Sequence, residues 1–356
     1  MTGNSWIFQR LACEPGARNF PGPPGCNPRP GGYCYQEGIP MKRAIKIIAA
    51  VVFLLAVFVL VFPFFRRDLE NMNGKMAAGD DAQFVQMPDK TWMRYVERGS
   101  GDETLILIHG FCSSTYTWKD AIGPLSEKYH VFAIDLPGFG FSDKPADFSY
   151  DYENFAHSVR RFMDAKGIKR ASFAGNSMGG GVTVKFAALY PQRVDRVILV
   201  DSAGYPHHGR GAAPLKLLGM PVLGRFLFSL NAPAPMKIIL QRTSFHDDSK
   251  VTDERAAAYF QPFLVNGASR AAQNAIKSIG GASLRDDVTK ITAPALIVWG
   301  ENDELIPPEY AKQFHKDLKG SKLVMIPSCG HLPEEEKPEK FVSAVLDFMG
   351  SAPARR

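Results

Sequence analysis

The sequence predicts an α/β protein: a mostly parallel sheet of eight strands, helices on both faces, and a helical insertion after the sixth strand. Three observations carry this. From about Gln83 onward, short apolar runs recur without the polar alternation of half-exposed strands, as expected of strands buried on both faces. Helical stretches separate most of these runs, and strand–helix alternation produces parallel sheets covered on both sides. Between Asp201 and Ile291 no good strand occurs, and the interval is too long for a plain loop.

Taken in order, residues 1–40 hold seven Pro and seven Gly, a disorder-prone composition. Cys13, Cys26 and Cys34 lack the close paired spacing of a zinc site, and five cysteines in all make no disulfide framework. Met41-Lys42-Arg43 followed by an apolar run reads as the start of an exported or anchored chain, which makes residues 1–40 a candidate start-site artefact. Residues 41–67 read as a membrane anchor or signal. Ile47–Phe65 carries no charge and spans roughly 28 Å as a helix, about one hydrocarbon core. That is longer than a signal-peptide core, and no small-residue cleavage site follows, so an uncleaved anchor is preferred over a secreted or periplasmic product. Lys42, Arg43 and Lys46 before the span, set against Arg66 and Arg67 after it, lean towards an extracytoplasmic catalytic body.

After a linker at 68–82, the body divides into a first core part at 83–204, a helical cap at 205–290, a second core part at 291–350 and a tail at 351–356. The expected strands are Gln83–Met87, Thr91–Glu97, Thr104–Ile108, Val131–Ile134, Ala171–Ala174, Arg196–Val200, Ala295–Trp299 and Lys322–Ile326. The clearest helices are Tyr152–Lys166, Val182–Tyr190 and Pro338–Met349. In the cap, apolar stretches such as Pro214–Leu230 and Ala234–Leu240 carry interspersed cations. They suit packing onto the body, a bound acyl chain or a membrane surface.

Charge excludes one class of partner. The net charge is +6, and residues 1–67 account for all of it with eight Lys/Arg against two acids. The body is neutral and has no basic stripe interleaved with aromatics, so nucleic acid is not expected.

The chemistry lies on the loops after strands. Gly175-Asn176-Ser177-Met178-Gly179 fits G-x-S-x-G between a strand and a helix, the setting in which a serine hydroxyl is held above a sheet edge. Gly175 and Gly179 supply the small neighbours such a turn needs. A serine nucleophile needs a base, and the base needs an orienting acid. His331, just after the last strand, is the expected base. Asp303, after the seventh strand, is the favoured acid; Asp201, after the sixth, is the alternative. A tetrahedral oxyanion needs two donors. The backbone N–H of Met178 is one, and that of Phe111, in His109-Gly110-Phe111, is the other, with Gly110 allowing a sharp turn. Cys112 and Cys329 fall on the same loops and read as small buried thiols.

In these motifs the chain resembles the α/β-hydrolase superfamily. The matching pieces are Leu107-Ile108-His109-Gly110-Phe111, Asp135-Leu136-Pro137-Gly138-Phe139-Gly140-Phe141-Ser142, Gly175 to Gly180, Gly300-Glu301-Asn302-Asp303 and Cys329-Gly330-His331-Leu332-Pro333. The resemblance implies a serine esterase or lipase acting on small-molecule or lipid esters without metal or organic cofactor. Membrane-anchored monoacylglycerol lipases are the nearest branch. The carbon–carbon bond hydrolases of aromatic ring cleavage, which share Gly-Asn-Ser-Met-Gly-Gly, form an alternative. Those typically place Trp after the catalytic His, where this chain has Leu332. Dehalogenases and epoxide hydrolases of this fold use an Asp nucleophile, which Ser177 replaces. A catalytically silent binding protein on the same scaffold is the alternative of another class.

Overall fold

The computed structural model describes residues 26–28, 34–36, 41–65, 72–79, 82–206, 220, 222–223, 226 and 232–351. Two units separate, residues 1–62 and 63–356. In the first, β1 (Cys26–Pro28) and β2 (Cys34–Gln36) pair antiparallel, so the described part of the Pro/Gly-rich segment has local order. Helix α1 (Met41–Phe65) follows. Its Ala44–Val61 stretch is apolar and exposed on all sides, and it is long enough to cross a membrane by length and composition.

The second unit opens with α2 (Gly74–Ala78), capped by the Asn73 side chain accepting from Met76 N–H at 2.9 Å. This part of the expected linker is tied to the body. Asn266 N–H donates to Met72 C=O at 2.9 Å, and the Lys75 ammonium lies 3.1 Å from the centroid of the Trp92 ring. The sheet strands are β3 (Gln83–Gln86), β4 (Trp92–Arg98), β5 (Thr104–Ile108), β6 (His130–Ile134), β7 (Ala171–Asn176), β8 (Val194–Val200), β9 (Ala295–Gly300) and β10 (Lys322–Ile326). Their spatial order is β10-β9-β8-β7-β5-β6-β4-β3. β4 runs antiparallel to both β3 and β6, and the other pairings are parallel. All eight expected strands are present.

The central strands separate two cores by simple alternation. Ile106, Ile108, Phe132, Ile134 and Phe173 face one side, where they meet Phe155, Phe162 and Phe186. Leu105, Leu107, Val131, Ala133 and Ala174 face the other, with Trp118, Phe341 and Val345. The covering helices are α3 (Lys119–Ser126), α4 (Tyr152–Ala165) and α5 (Met178–Leu189), and later α10 (Glu309–Asp317), α11 (Pro333–Glu336) and α12 (Pro338–Met349). In α4, Asp151 caps the first turn by accepting from Asn154 N–H, and Phe155, Val159, Phe162 and Met163 form the buried stripe. Between β8 and β9 lie α6 (Pro233–Thr243), α7 (Asp253–Phe260), α8 (Ala268–Ile279) and α9 (Arg285–Val288). Met236, Leu240, Phe245, Val251, Tyr259 and Leu332 form a third, smaller core there. The stretch Pro214–Leu230 falls almost wholly outside the described residues.

One helix differs from expectation. α5 starts at Met178, four residues before Val182, so Gly179, Gly180 and Gly181 lie inside it. They are there for close approach. A Cβ on Gly179 would strike Ile108 C=O, one on Gly180 the Ser202 side chain, and one on Gly181 the Tyr152 ring.

Candidate active site

Parallel α/β sheets present side chains beyond the carboxyl ends of their strands. Five such ends converge here. Gly110 and Phe111 follow β5, Ser177 follows β7, Asp201 follows β8, Asp303 follows β9 and His331 follows β10.

Ser177 sits at φ 53°, ψ −117°, a strained conformation for a residue with a Cβ. Its surroundings enforce it. Ser177 N–H donates to Val200 C=O at 2.9 Å, while Ser177 C=O accepts from Ala203 N–H at 2.9 Å and Gly181 N–H at 3.2 Å. Gly175 is required because a Cβ there would overlap the Gly179 backbone. The serine is 8% exposed, so it opens onto the space above the sheet.

His331 and Asp303 are brought together. His331 Nδ1 lies 2.7 Å from Asp303 Oδ2. The other carboxylate oxygen, Oδ1, accepts from Leu305 N–H at 2.8 Å and Ile306 N–H at 3.0 Å, which fixes the plane of the group. A carboxylate acceptor places the imidazole proton on Nδ1 and leaves the Nε2 lone pair as the basic site. His331 Nε2 is buried and takes no hydrogen bond within the protein.

The histidine loop is braced from three sides. His331 N–H donates to Ser244 C=O at 2.8 Å, and Gly330 N–H donates to Glu336 Oε2 at 2.7 Å. Asn176 Nδ2 donates to His331 C=O at 3.0 Å, linking the serine turn to the histidine loop. Asn176 and Glu336 did not emerge as site residues from the sequence. The only trace of Glu336 there was an acid shortly before Pro338.

Phe111 lies on the turn after β5, and Met178 is the first residue of α5. The two turns adjoin: a Cβ on Gly110 would lie 2.8 Å from Asn176 Oδ1 and 3.2 Å from Ser177 Cβ. This corrects the reading of Gly110 as a conformational pivot. It is small because the serine turn packs on it, and the left-handed residue of the loop is Cys112, at φ 55°. The Phe111 ring packs edge-on against Phe139 at 5.8 Å. Two unforeseen residues hold this loop. His109 is fully buried, its Nδ1 against Gly110 C=O at 2.7 Å and its Nε2 accepting from Leu136 N–H at 3.0 Å. Burial lowers its pKa, which keeps it a neutral brace. Asp135 accepts from Thr115 N–H at 2.6 Å and Phe141 N–H at 2.8 Å.

Asp201 is also drawn in. One carboxylate oxygen each from Asp201 and Asp303 and one ring nitrogen of His331 lie within 4.8 Å of one another. Burial and the neighbouring Asp303 charge raise the Asp201 pKa well above the usual carboxylate range. Cys112 and Cys329 are both free, and burial raises both thiol pKa values, so neither is a ready nucleophile. Beyond the Cys112-Ser113 turn lies a shallow pocket, open in part to solvent and walled by Phe139, Lys144, Phe263 and Ala272.

Directly after His331, Glu334, Glu335 and Glu336 are all buried. Glu335 forms an ion pair with Arg255 of α7 at 3.0 Å and a short hydrogen bond with Tyr259, tying the insertion to the body. Burial pushes the Glu335 pKa to about 7.

Comparison with known proteins agrees with this architecture. The family model described as alpha/beta hydrolase fold matches residues 103–338. An uncharacterized hydrolase, YugF of Bacillus subtilis (strain 168), is 32% identical over 70% of this chain and 90% of its own length. The 2-hydroxy-6-oxo-6-phenylhexa-2,4-dienoate hydrolase of Comamonas testosteroni is 29% identical over 77% of this chain and 98% of its own. Among solved structures, a membrane phospholipase A is 29% identical with a TM-score of 0.65, covering 87% of this chain and 98% of its own. Taken by substrate name, the curated relatives back the carbon–carbon alternative better than ester hydrolysis.

Proposed function

The chain belongs to the α/β-hydrolase family, and on that premise we propose that it is a serine hydrolase working through Ser177, His331 and Asp303. The observation that carries this is the pairing of His331 Nδ1 with Asp303 at 2.7 Å while Nε2 stays unpartnered, beside a serine held in a strained turn. His331 Nε2 takes the Ser177 proton as Oγ attacks a substrate carbonyl, then returns it to the leaving group. Asp303 keeps the ring in the required tautomer and stabilises the imidazolium. The Phe111 and Met178 amides receive the oxyanion, the second at the N-terminus of α5 where the helix dipole adds to it. Water activated by His331 then releases the acid.

For substrate we place esters of lipidic character first. The support is organisational. The phospholipase A match covers about 310 residues of this chain, more than the 289 from 68 to 356, so it reaches into α1, whereas the dienoate hydrolase match needs only the body. Ile238 and Ile239 of α6 and Met220 and Val222 are exposed apolar side chains, which suits an enzyme that meets lipid. On this reading α1 anchors the chain in a membrane with the body on the extracytoplasmic side, and residues 205–290 act as a cap. The second reading, carbon–carbon hydrolysis of a ring-cleavage diketone, rests on the curated relatives.

A fluorophosphonate probe tests the mechanism: folded protein labels and Ser177→Ala does not. Labelling that survives the substitution, or none at all, defeats it, and the second outcome favours a silent binding protein. A panel of p-nitrophenyl esters, monoacylglycerols and a ring-cleavage diketone tests the substrate class. Turnover of the diketone alone overturns the ester reading.

A further inference from the structure

We propose that Asp201 is a positioning residue that stays protonated and donates its hydroxyl to Asp303, holding that carboxylate in line for His331. The inference rests on the serine-hydrolase reading of the site. Asp201 is fully buried at the end of β8, and its backbone is in the left-handed region at φ 42°. The strain is held by Asp201 N–H donating to Val298 C=O at 3.1 Å and by Gly300 N–H donating to Asp201 Oδ1 at 3.0 Å. The remaining oxygen, Oδ2, is buried and receives no donor. A carboxylate in that position would be an anion with a single donor, beside a second anion.

The donors are distributed unequally. Asp303 receives three, from Leu305 N–H, Ile306 N–H and the His331 ring. Asp201 receives one. Two buried carboxyls this close hold one charge between them, and it settles on the better-solvated partner. The proton then belongs to Asp201, where it converts an unsatisfied acceptor into a donor directed at its neighbour. The other titratable groups facing Asp201 share this outcome. His331 is bonded to Asp303, Glu334 raises the cost of a further negative charge on Asp201, and burial keeps the Cys329 thiol neutral.

The variants are Asp201→Asn, which keeps a neutral donor, and Asp201→Leu, which removes it. In Asp201→Asn, kcat stays close to wild type and the acid limb of the kcat/KM–pH profile does not move. In Asp201→Leu, kcat falls roughly 10- to 100-fold, the worth of one hydrogen bond to a charged group, with KM little changed. Its acid limb also moves to higher pH, because Asp303 becomes a stronger acceptor for His331. If Asp201 were the anion, Asp201→Asn would remove a charge within 4.8 Å of the imidazolium and lower the limb by about 2.5 pH units at an effective dielectric near 20; that result overturns the proposal. So does an Asp201→Leu profile identical to wild type. Infrared difference spectra need no turnover: wild type at neutral pH shows a protonated carboxyl band that Asp201→Asn lacks, and its absence also overturns the proposal. Failure of the wild type to label with a fluorophosphonate defeats the serine mechanism instead, leaving the infrared result to decide the protonation of Asp201.

Discussion

Asp303→Asn is the most discriminating single substitution in this chain, because the structure dictates which way the new amide must point. Leu305 and Ile306 both direct backbone N–H groups at Oδ1, at 2.8 and 3.0 Å. An asparagine satisfies them only by placing its carbonyl oxygen there. Its NH2 then occupies the Oδ2 position, 2.7 Å from His331 Nδ1. An amide donor at that place obliges Nδ1 to accept, so the ring proton moves to Nε2, the atom that must take the serine proton. The fold loses little, since both loop amides keep their partner. The chemistry loses its base, a change that costs about 10⁴ in kcat in triads of this design, about 5.5 kcal/mol of barrier. Initial rates on a p-nitrophenyl ester, alongside a thermal melt, read both quantities. A melt within a few degrees of wild type with kcat down by three to four orders of magnitude is expected. Activity within about tenfold of wild type would refute the assignment of Asp303 as the orienting acid.

Other consequences are equally open to measurement. Glu335 titrates near 7 in the fold against an ordinary value of 4.5, so the folded state binds the extra proton. Its contribution to stability is therefore fully present at low pH and is lost as pH rises from about 4.5 through 7; denaturant melts of Glu335→Gln lack this component of the decline over that window, and an unchanged slope would remove Glu335 as its source. Gly180→Ala brings a Cβ into the Ser202 side chain, and the overlap costs about 1–3 kcal/mol, more than the roughly 1 kcal/mol of helix propensity gained. Adding Ser202→Gly recovers most of the loss in a urea melt, and failure to do so would mean the strain lies elsewhere. Removing residues 1–67 leaves a body that hydrolyses soluble esters at the wild-type rate but moves from the membrane pellet to the soluble fraction, and continued sedimentation would locate membrane affinity in the body.

Periodicity made the strands legible, because burial on both faces leaves nothing but apolar side chains in runs such as Leu105-Ile106-Leu107-Ile108. The positions of Ser177, Asp303 and His331 were legible for a related reason: each follows such a run. What escaped were partnerships between distant segments. Asn176 reaches His331 across 155 residues, and no local pattern announces that bond. His109 and Asp135 looked like parts of a loop motif, yet they are the struts under it. Glu334-Glu335-Glu336 has the composition of a solvated helix start, and all three are buried because Thr117, Tyr259 and Arg255 reach the first two and the His246, Asp247 and Gly330 amides reach the third. The start of α5 was misjudged because glycine is a poor helix former in isolation. Here the crowding by Ile108, Ser202 and Tyr152 overrides that preference.

The order of the strands has a meaning for how the molecule is made. β8 and β9 are neighbours in the sheet, yet all of the helices from α6 to α9 lie between them in the chain. During synthesis the apolar helix α1 leaves the ribosome before the body, and Ser177 follows long before His331 exists. On the proposed mechanism, a nascent chain therefore carries a nucleophile with no base to arm it. Reactivity arrives only when β9 and β10 have added themselves to the growing edge, which happens at the end of translation. Hydrolytic competence on that mechanism is thus a property of the finished polypeptide, and products cut short before β10 retain the serine turn without its base.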